Sequence, residues 1–114
     1  MLDVVIHDDV FVDLQGFEFE VQVAFKEVVQ KIAEAPSKYM NRLIEHREVG
    51  DLSMCFKAYV DPDPNRFPAM PARYRVVFLL LPDSKSPEHL QVIAFGTRDG
   101  LDVYRRAAGR IGEN

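Results

Sequence analysis

The residues of this sequence that could do chemistry are mainly cations on or beside three apolar runs in its second half. They are Lys57, Arg73, Arg75 and Arg98, and Tyr104 follows them. Side chains alternate along a strand, and the parity of Lys57, Arg73 and Arg75 predicts that all three lie on one side of a sheet. Arginine can donate two parallel hydrogen bonds to phosphate oxygens, and tyrosine can stack on a nucleobase. The pattern therefore favours a site for a phosphate with an adjacent nucleobase. A solvated face whose edge cations discourage aggregation stays open as the alternative.

Standard catalytic and metal-binding signatures are missing from the sequence. It contains no G-x-G-x-x-G, no Walker loop, no H-E-x-x-H and no G-x-S-x-G. None of the three histidines, His7, His46 and His89, lies within metal-ligand spacing of another. Cys55 is the single cysteine, so an intrachain disulfide is excluded and a structural zinc site lacks its thiols. We therefore expect neither a metal nor another cofactor.

Charge is distributed unevenly along the 114 residues, whose formal net charge is −4. Residues 1–20 contain six acids and no Lys or Arg, whereas residues 66–110 contain eight bases and four acids. The overall charge repels nucleic acid, but a local basic face can still hold phosphates. The sequence has no apolar run of transmembrane length and no basic and apolar leader at its start. A cytoplasmic protein without a membrane partner is expected.

Hydrophobic periodicity predicts the elements that position these residues. They are a strand at 4–6 ending at a helix N-cap, a helical turn at 10–14, a helix at 17–34, a short helix around 39–44, strands at 52–60, 73–81 and 90–95, and a last helix from about 99, closed by Gly112. Residues 17–23 also alternate as in a strand, and that alternative stays open. The helix is favoured because its apolar stripe continues from Phe17 to Ile32 and stops before Pro36.

The element order is β-α-α-β-β-β-α, which predicts a small α+β fold. We expect a mainly antiparallel, twisted sheet with a helical hairpin packed on one face, and a meander formed by the last three strands. Residues 61–72 contain four prolines and cannot be helix or strand throughout. This segment does not divide the chain, because the strands on both sides of it must share one sheet. Residues 1–114 are therefore expected to form one domain.

Three stretches of the sequence resemble the RelE/ParE superfamily of type II toxin–antitoxin systems. They are GDLSMCFK at 50–57, RYRVVF at 73–78, and FGTR at 95–98 followed by Val103, Tyr104 and an alanine-rich helix with Arg110. Their order and spacing, with the element order, cover nearly the whole chain. The resemblance implies a RelE-like toxin domain.

RelE-type proteins cleave messenger RNA in the ribosomal decoding site without a metal, through attack of a ribose 2′-hydroxyl on the adjacent phosphate. Carried over by position, the resemblance implies that Lys57 is the cation on the side of the general base, beside the attacking 2′-hydroxyl. Arg75 would stabilise the charge that builds up on the phosphate, and Arg98 would serve the leaving oxygen. The implied activity is that of a ribosome-dependent endoribonuclease, an mRNA interferase that inhibits translation.

Further contacts with RNA and with partners are implied by the same resemblance. Tyr104 would stack on or orient the substrate, and Arg73 and Arg105 would bind RNA. The implied partners are the ribosome, messenger RNA and a cognate antitoxin, which forms a hetero-oligomer with the toxin. Exposed apolar residues of the helical hairpin, such as Phe11 and Phe19, are candidates for the antitoxin contact.

The sequence departs from the RelE pattern at several positions. Tyr59 stands where a second cation usually follows Lys57, and Phe56 stands where arginine is frequent. Active ribosome-dependent members are generally basic, whereas this chain is acidic, and fewer positive charges predict weaker docking to ribosomal RNA. Two alternatives therefore stay open. One is a ParE-like DNA gyrase inhibitor, which acts by binding, and the other is a catalytically degenerate RelE-fold binding module.

Overall fold

The helices and strands of the computed structural model follow the predicted α+β order, within the residues that it describes, which are 1–42, 52, 54–62, 73–97 and 102–111. The elements are β1 (Asp3–Ile6), α1 (Asp8–Gln15), α2 (Phe19–Glu34), a 3-10 turn (Pro36–Tyr39), β2 (Asn41–Arg42), β3 (Phe56–Val60), β4 (Tyr74–Leu81), β5 (His89–Thr97) and α3 (Asp102–Arg110). No helix within these ranges combines the length and the apolar character needed to cross a bilayer.

The strands form one sheet in the order β1-β5-β4-β3-β2. β1 is parallel to β5, and the other neighbours are antiparallel. The predicted meander of β3, β4 and β5 is confirmed, since each of these strands pairs with the next one along the chain. β1 pairs with the edge of β5 that β4 leaves open, which makes β5 a central strand over residues 89–92.

A bulge interrupts the regular alternation of β5. Val77 is the partner of Ala94 and Phe78 is the partner of Val92, so Ile93 is an extra residue in β5. As a result, Val92 and Phe95 both face the helical hairpin, although they are an odd number of residues apart. Ile93 and Ala94 both join the core on the other face.

Two hydrophobic cores lie on opposite faces of the sheet. The larger core packs α1 and α2 against the sheet through residues such as Val10, Phe25, Ile32 and Phe78. The smaller core packs α3 against the other face and includes Val77, Ile93, Val103, Tyr104 and Ala107. The predicted packing of the helical hairpin on one face is confirmed, and α3 covers part of the opposite face.

The open choice between helix and strand at 17–23 is decided for helix, which begins at Phe19 rather than Phe17. Val21, Phe25 and Ile32 lie on the buried stripe of α2, and burial of this stripe outweighs the short alternating pattern. The Phe17 ring lies before the helix and packs edge-on against two other aromatic rings. The preceding helical turn is longer than predicted, because α1 spans eight residues.

Two predicted elements differ from the structure. The short helix around 39–44 is replaced, within the described residues, by the 3-10 turn and by β2, which pairs with Phe56 and Lys57. The strand predicted from Leu52 begins at Phe56, because Cys55 N–H donates a hydrogen bond to Leu52 O instead of pairing with a neighbouring strand. The predicted helix start at 99 and its end at Gly112 lie outside the described residues.

Candidate active site

β3 and β4 bring a lysine, a tyrosine and an arginine to the face of the sheet opposite α2. Tyr59 is the cross-strand partner of Arg75, and Lys57 is the partner of Val77. Cross-strand partners and residues two apart in one strand share a face. Lys57, Tyr59 and Arg75 therefore lie on the same face, as predicted for the two cations.

The Arg75 side chain is held against the sheet by its neighbours and is only 4% exposed. Its guanidinium carbon lies 4.2 Å from the centre of the Tyr59 ring, which is half-exposed. Its Nη1 donates a hydrogen bond of 3.1 Å to the carbonyl oxygen of Tyr74. A cation over an aromatic ring at this distance is favourable by about 1 kcal/mol. Tyr59 thus covers Arg75 and fixes the plane of its guanidinium.

A glycine lies on the other side of Arg75, because Gly96 of β5 is its partner across β4 and β5. A Cβ at this position would lie 3.7 Å from the Cβ of Val103 in α3. This is an ordinary van der Waals distance, so α3 packs directly over Gly96 beside Arg75. Arg98, which follows this segment, lies outside the described residues, so its predicted role at the leaving oxygen stays a prediction.

Arg73 does not join this cluster. It precedes β4, so strand alternation does not set the direction of its side chain. Its guanidinium carbon lies 5.3 Å from the centre of the Tyr74 ring, and that ring packs against Phe17 and Phe95 on the face covered by the helical hairpin. The prediction that Arg73 and Arg75 share a side is therefore wrong. Binding of RNA by Arg73 stays a prediction.

Tyr104 and Arg105 occupy different sides of α3. Tyr104 is 2% exposed and packs in the smaller core with Val77 and Ile93, in agreement with its position on the apolar side of the helix. A base could stack on this ring only after α3 moved, so the observed role of Tyr104 is packing, and its substrate role stays a prediction. Arg105 is exposed on the outer side of α3 and stays a predicted RNA contact.

A buried ion cluster, which we did not predict, joins α1 to α3. Asp13 is 8% exposed and accepts two hydrogen bonds from Arg110, from Nη1 to Oδ2 at 2.7 Å and from Nη2 to Oδ1 at 3.0 Å. Arg106 Nη1 donates to Asp13 Oδ1 at 3.0 Å, and Arg106 also pairs with Asp102 one helical turn away. Two of the three arginines of α3 are thus engaged with the acidic N-terminal part of the chain.

The same cluster satisfies backbone groups of β5 beyond the end of β1. β1 pairs with β5 only as far as Val92. Past that point, Phe95 N–H donates to Asp13 Oδ2 at 3.4 Å, and Arg110 Nη1 donates to the carbonyl oxygen of Ile93 at 2.9 Å. Buried backbone groups without partners are costly, so Asp13 and Arg110 replace the strand that would otherwise continue there. The sequence signal was an aspartate among the buried positions of α1.

The fold is similar to that of a known toxin. A solved structure of the E. coli toxin RelE, a double arginine-to-alanine mutant in the free state, superposes on this chain with a TM-score of 0.64 at 17% sequence identity, over 96% of this chain and 97% of that one. No protein-family model and no curated protein sequence matches the chain. The chain therefore has a RelE-like fold, as the resemblance of its sequence predicted.

Proposed function

We propose that this protein is the toxin component of a type II toxin–antitoxin system and acts as a ribosome-dependent endoribonuclease. The observation that supports this proposal most directly is the pairing of β3 with β4, which puts Lys57 and Arg75 on one face of a RelE-like fold. Two cations on adjacent strands suit a phosphate of the RNA backbone. The ribosome and messenger RNA are the partners of the reaction, in the cytoplasm, and a cognate antitoxin restrains it.

The proposed reaction is an attack of a ribose 2′-oxygen on the adjacent phosphorus. The O2′–P bond forms and the P–O5′ bond breaks, which leaves a cyclic phosphate on one fragment and a 5′-hydroxyl on the other. The neutral amine of Lys57 accepts the proton of the 2′-hydroxyl, and the leaving O5′ takes up a proton from solvent. Arg75 stabilises the charge that builds up on the phosphate oxygens. Arg98 assists the leaving oxygen electrostatically, because the pKa of a free arginine lies far above neutral pH and disfavours proton donation.

Tyr59 is a positioning residue in this proposal. Its ring lies over the guanidinium of Arg75 and restricts its orientation. A phosphate approaches the edge of the Arg75 guanidinium while the half-exposed Tyr59 ring stays over its face and keeps water from that side. Preorganised donors in a site that excludes water stabilise a transition state more strongly than donors in bulk water do.

The test is cleavage of a defined messenger RNA on purified ribosomes, with cut sites mapped by primer extension. We expect cuts that require the ribosome, and a loss of at least about 100-fold in cleavage rate for Arg75→Ala and for Lys57→Ala. Lys85→Ala is the matched control, because Lys85 is an exposed cation in the loop between β4 and β5. Thermal melting must first establish that each variant folds. Equal cleavage by folded Arg75→Ala protein would contradict the proposal.

A RelE-fold binding module without cleavage is the second candidate. The small exposed fraction of Arg75 and the net charge of −4 favour it, because both weaken contact with a polyanion. In the same assay, this candidate predicts no cuts by folded wild-type protein. A DNA gyrase supercoiling assay then separates a gyrase inhibitor from a module with another partner.

A further inference from the structure

The Asp13 carboxylate lies where α1, the end of β5 and α3 meet. Its side chain is 4% exposed, and each of its oxygens accepts two hydrogen bonds. Oδ2 accepts from Arg110 Nη1 and from the Phe95 N–H, and Oδ1 accepts from Arg110 Nη2 and Arg106 Nη1. We refer to Asp13, Arg106 and Arg110 as the Asp13 cluster. One buried carboxylate thus fixes two helices and a strand relative to one another.

The part of β5 that the Asp13 cluster holds is the part beside Arg75. Phe95 donates its N–H to Asp13, and the next residue, Gly96, is the cross-strand partner of Arg75. The cluster also binds the carbonyl oxygen of Ile93, the extra residue of the β5 bulge. A bulge disrupts the local ladder of hydrogen bonds, and β1 pairs with β5 only before this point. Among the described residues, the cluster therefore fixes the outer edge of this part of β5.

α3 forms a wall on one side of Arg75. A Cβ at Gly96 would lie 3.7 Å from the Cβ of Val103, and Tyr104 packs in the smaller core under the same helix. The Tyr59 ring stands on the other side, with its centre 4.2 Å from the guanidinium carbon of Arg75. Arg75 lies between these two neighbours and is only 4% exposed. The position of α3 therefore affects how well water is kept from the guanidinium.

Apolar packing alone leaves the position of this wall loosely defined. α3 contributes short side chains such as Val103 and Ala107 to the smaller core, and apolar attraction has no preferred direction. Charge-assisted hydrogen bonds are short and directional, and a bidentate pair also fixes the plane of the guanidinium. The two hydrogen bonds from Arg110 to Asp13 therefore set the position of α3 along and around its axis.

We propose that Asp13 is a positioning residue for Arg75. Through Arg110 and the end of β5, it sets how closely α3 stands beside the guanidinium, and it thereby holds Arg75 in one orientation and keeps water away. This inference rests on the proposed function, in which Arg75 stabilises charge on the phosphate. Donors held in place without water stabilise a transition state most strongly, and a misplacement of about 1 Å can lower a rate about 100-fold.

The first measurement follows the Arg75 guanidinium itself. Exchange of its Nε proton with solvent is recorded by nitrogen-15 NMR on the full chain, without ribosomes. We expect Asp13→Asn to accelerate this exchange at least about tenfold, because an asparagine amide keeps the shape but turns an NH₂ group towards a guanidinium. Asp9→Asn is the matched control, with the same change of charge on the same helix. Asp9 is 57% exposed and lies 3.9 Å from Arg110 Nε, so the rate should stay within about twofold of the wild type.

A second control separates positioning from a general loss of stability. Ile32→Val removes a methyl group from a fully buried position in the larger core, on the face of the sheet opposite α3. It lowers the melting temperature, and exchange in all variants is compared at the same interval below their melting temperatures. We expect faster Arg75 exchange in Asp13→Asn alone. Equal acceleration in Ile32→Val would mean that Asp13 is merely structural and would overturn the proposal.

Ribosome-dependent cleavage gives the functional readout. For folded Asp13→Asn protein we expect kcat to fall about tenfold, with KM within about twofold of the wild type, because Asp13 is buried and does not contact the RNA. Asp9→Asn should cleave at the wild-type rate. A normal kcat for Asp13→Asn, or unchanged Arg75 exchange, would overturn the proposal. Absence of cleavage by the wild type would overturn the nuclease, whereas the exchange rates would still support or overturn positioning of Arg75 by Asp13.

Arg106→Ala covers the case in which Asp13→Asn does not fold. It removes one of the four hydrogen bonds to Asp13 from a side chain that is 40% exposed, and Arg110 still attaches the helix. We expect Arg75 exchange to rise and kcat to fall, each by about two- to threefold. Folded Arg106→Ala protein in which neither changes would then contradict the positioning role of Asp13.

Discussion

On the helical-hairpin side of the sheet, α1 and α2 cover a core in which aromatic rings contact one another, whereas the α3 side has a smaller core bordered by charged residues. Phe25 and Phe95 pack with ring centroids 4.9 Å apart on the first side. On the second side, Arg75 lies beside the small core, and α3 is held by a buried carboxylate. This fold therefore buries most of its apolar surface on the helical-hairpin face, whereas the other face carries the cations of the proposed site.

The largest effect on stability is expected on the helical-hairpin side. Phe25 is 1% exposed, and Phe25→Ala removes a ring from a packed aromatic cluster. We expect a loss of about 3–5 kcal/mol in the free energy of unfolding, measured by urea denaturation. Phe11→Ala, at a half-exposed position of α1, is the control and should change this free energy by less than about 0.5 kcal/mol. A small loss for Phe25→Ala would mean that the core on the helical-hairpin side is not the main source of stability.

The next effect concerns the attachment of α3. Asp13→Ala leaves Arg110 and the Phe95 N–H without their acceptor, and we expect a loss of about 2–3 kcal/mol in the free energy of unfolding. This value is below that for a fully buried pair, because Arg106 is 40% exposed. A double-mutant cycle with Arg110→Ala checks it. Additive losses from the two substitutions would mean that the cluster does not act as a unit.

A third effect should appear in cleavage rather than in stability. Tyr59→Ala removes the ring over Arg75, and we expect cleavage to fall about tenfold, which corresponds to about 1.4 kcal/mol. Tyr59→Phe keeps the ring and should cleave at the wild-type rate. Because Tyr59 is half-exposed, both variants should melt close to the wild-type temperature. Equal cleavage by Tyr59→Ala and Tyr59→Phe would remove Tyr59 from the candidate site.

Much of the fold could be predicted from the sequence because its signals are local. The apolar stripe of α2 and the β3-β4-β5 meander each follow from periodicity within one segment and from turn residues between segments. The shared face of Lys57 and Arg75 also follows from alternation, because the β3–β4 pairing is regular between these residues. Local patterns were thus sufficient for the two cations at the centre of the proposed site.

Other parts could not be predicted because they depend on contacts between distant segments. Asp13 and Arg110 are 97 residues apart, and nothing near either residue identifies the other as its partner. The bulge at Ile93 depends on the register between β4 and β5, which the alternation of a single strand does not contain. The side of the sheet on which Arg73 lies was predicted from strand alternation. Arg73 lies one residue before the strand begins, where alternation does not determine the direction of a side chain.

The smallest expected effect tests whether the position of a carboxylate or its charge sets its contribution to the attachment of α3. Arg106 pairs with Asp13 at 3.0 Å and with Asp102 at 2.9 Å, but Asp102 is 52% exposed whereas Asp13 is 4% exposed at its side chain. Exposed i,i+4 pairs contribute about 0.3–0.5 kcal/mol, so Asp102→Ala should lower the free energy of unfolding by no more than that. Urea denaturation at low and high salt checks it, since salt screens an exposed pair most strongly. A loss as large as that for Asp13→Ala would mean that the negative charge near α3 holds the helix in place. The hydrogen bonds of Asp13 and Arg110 to the β5 backbone would then contribute little to stability.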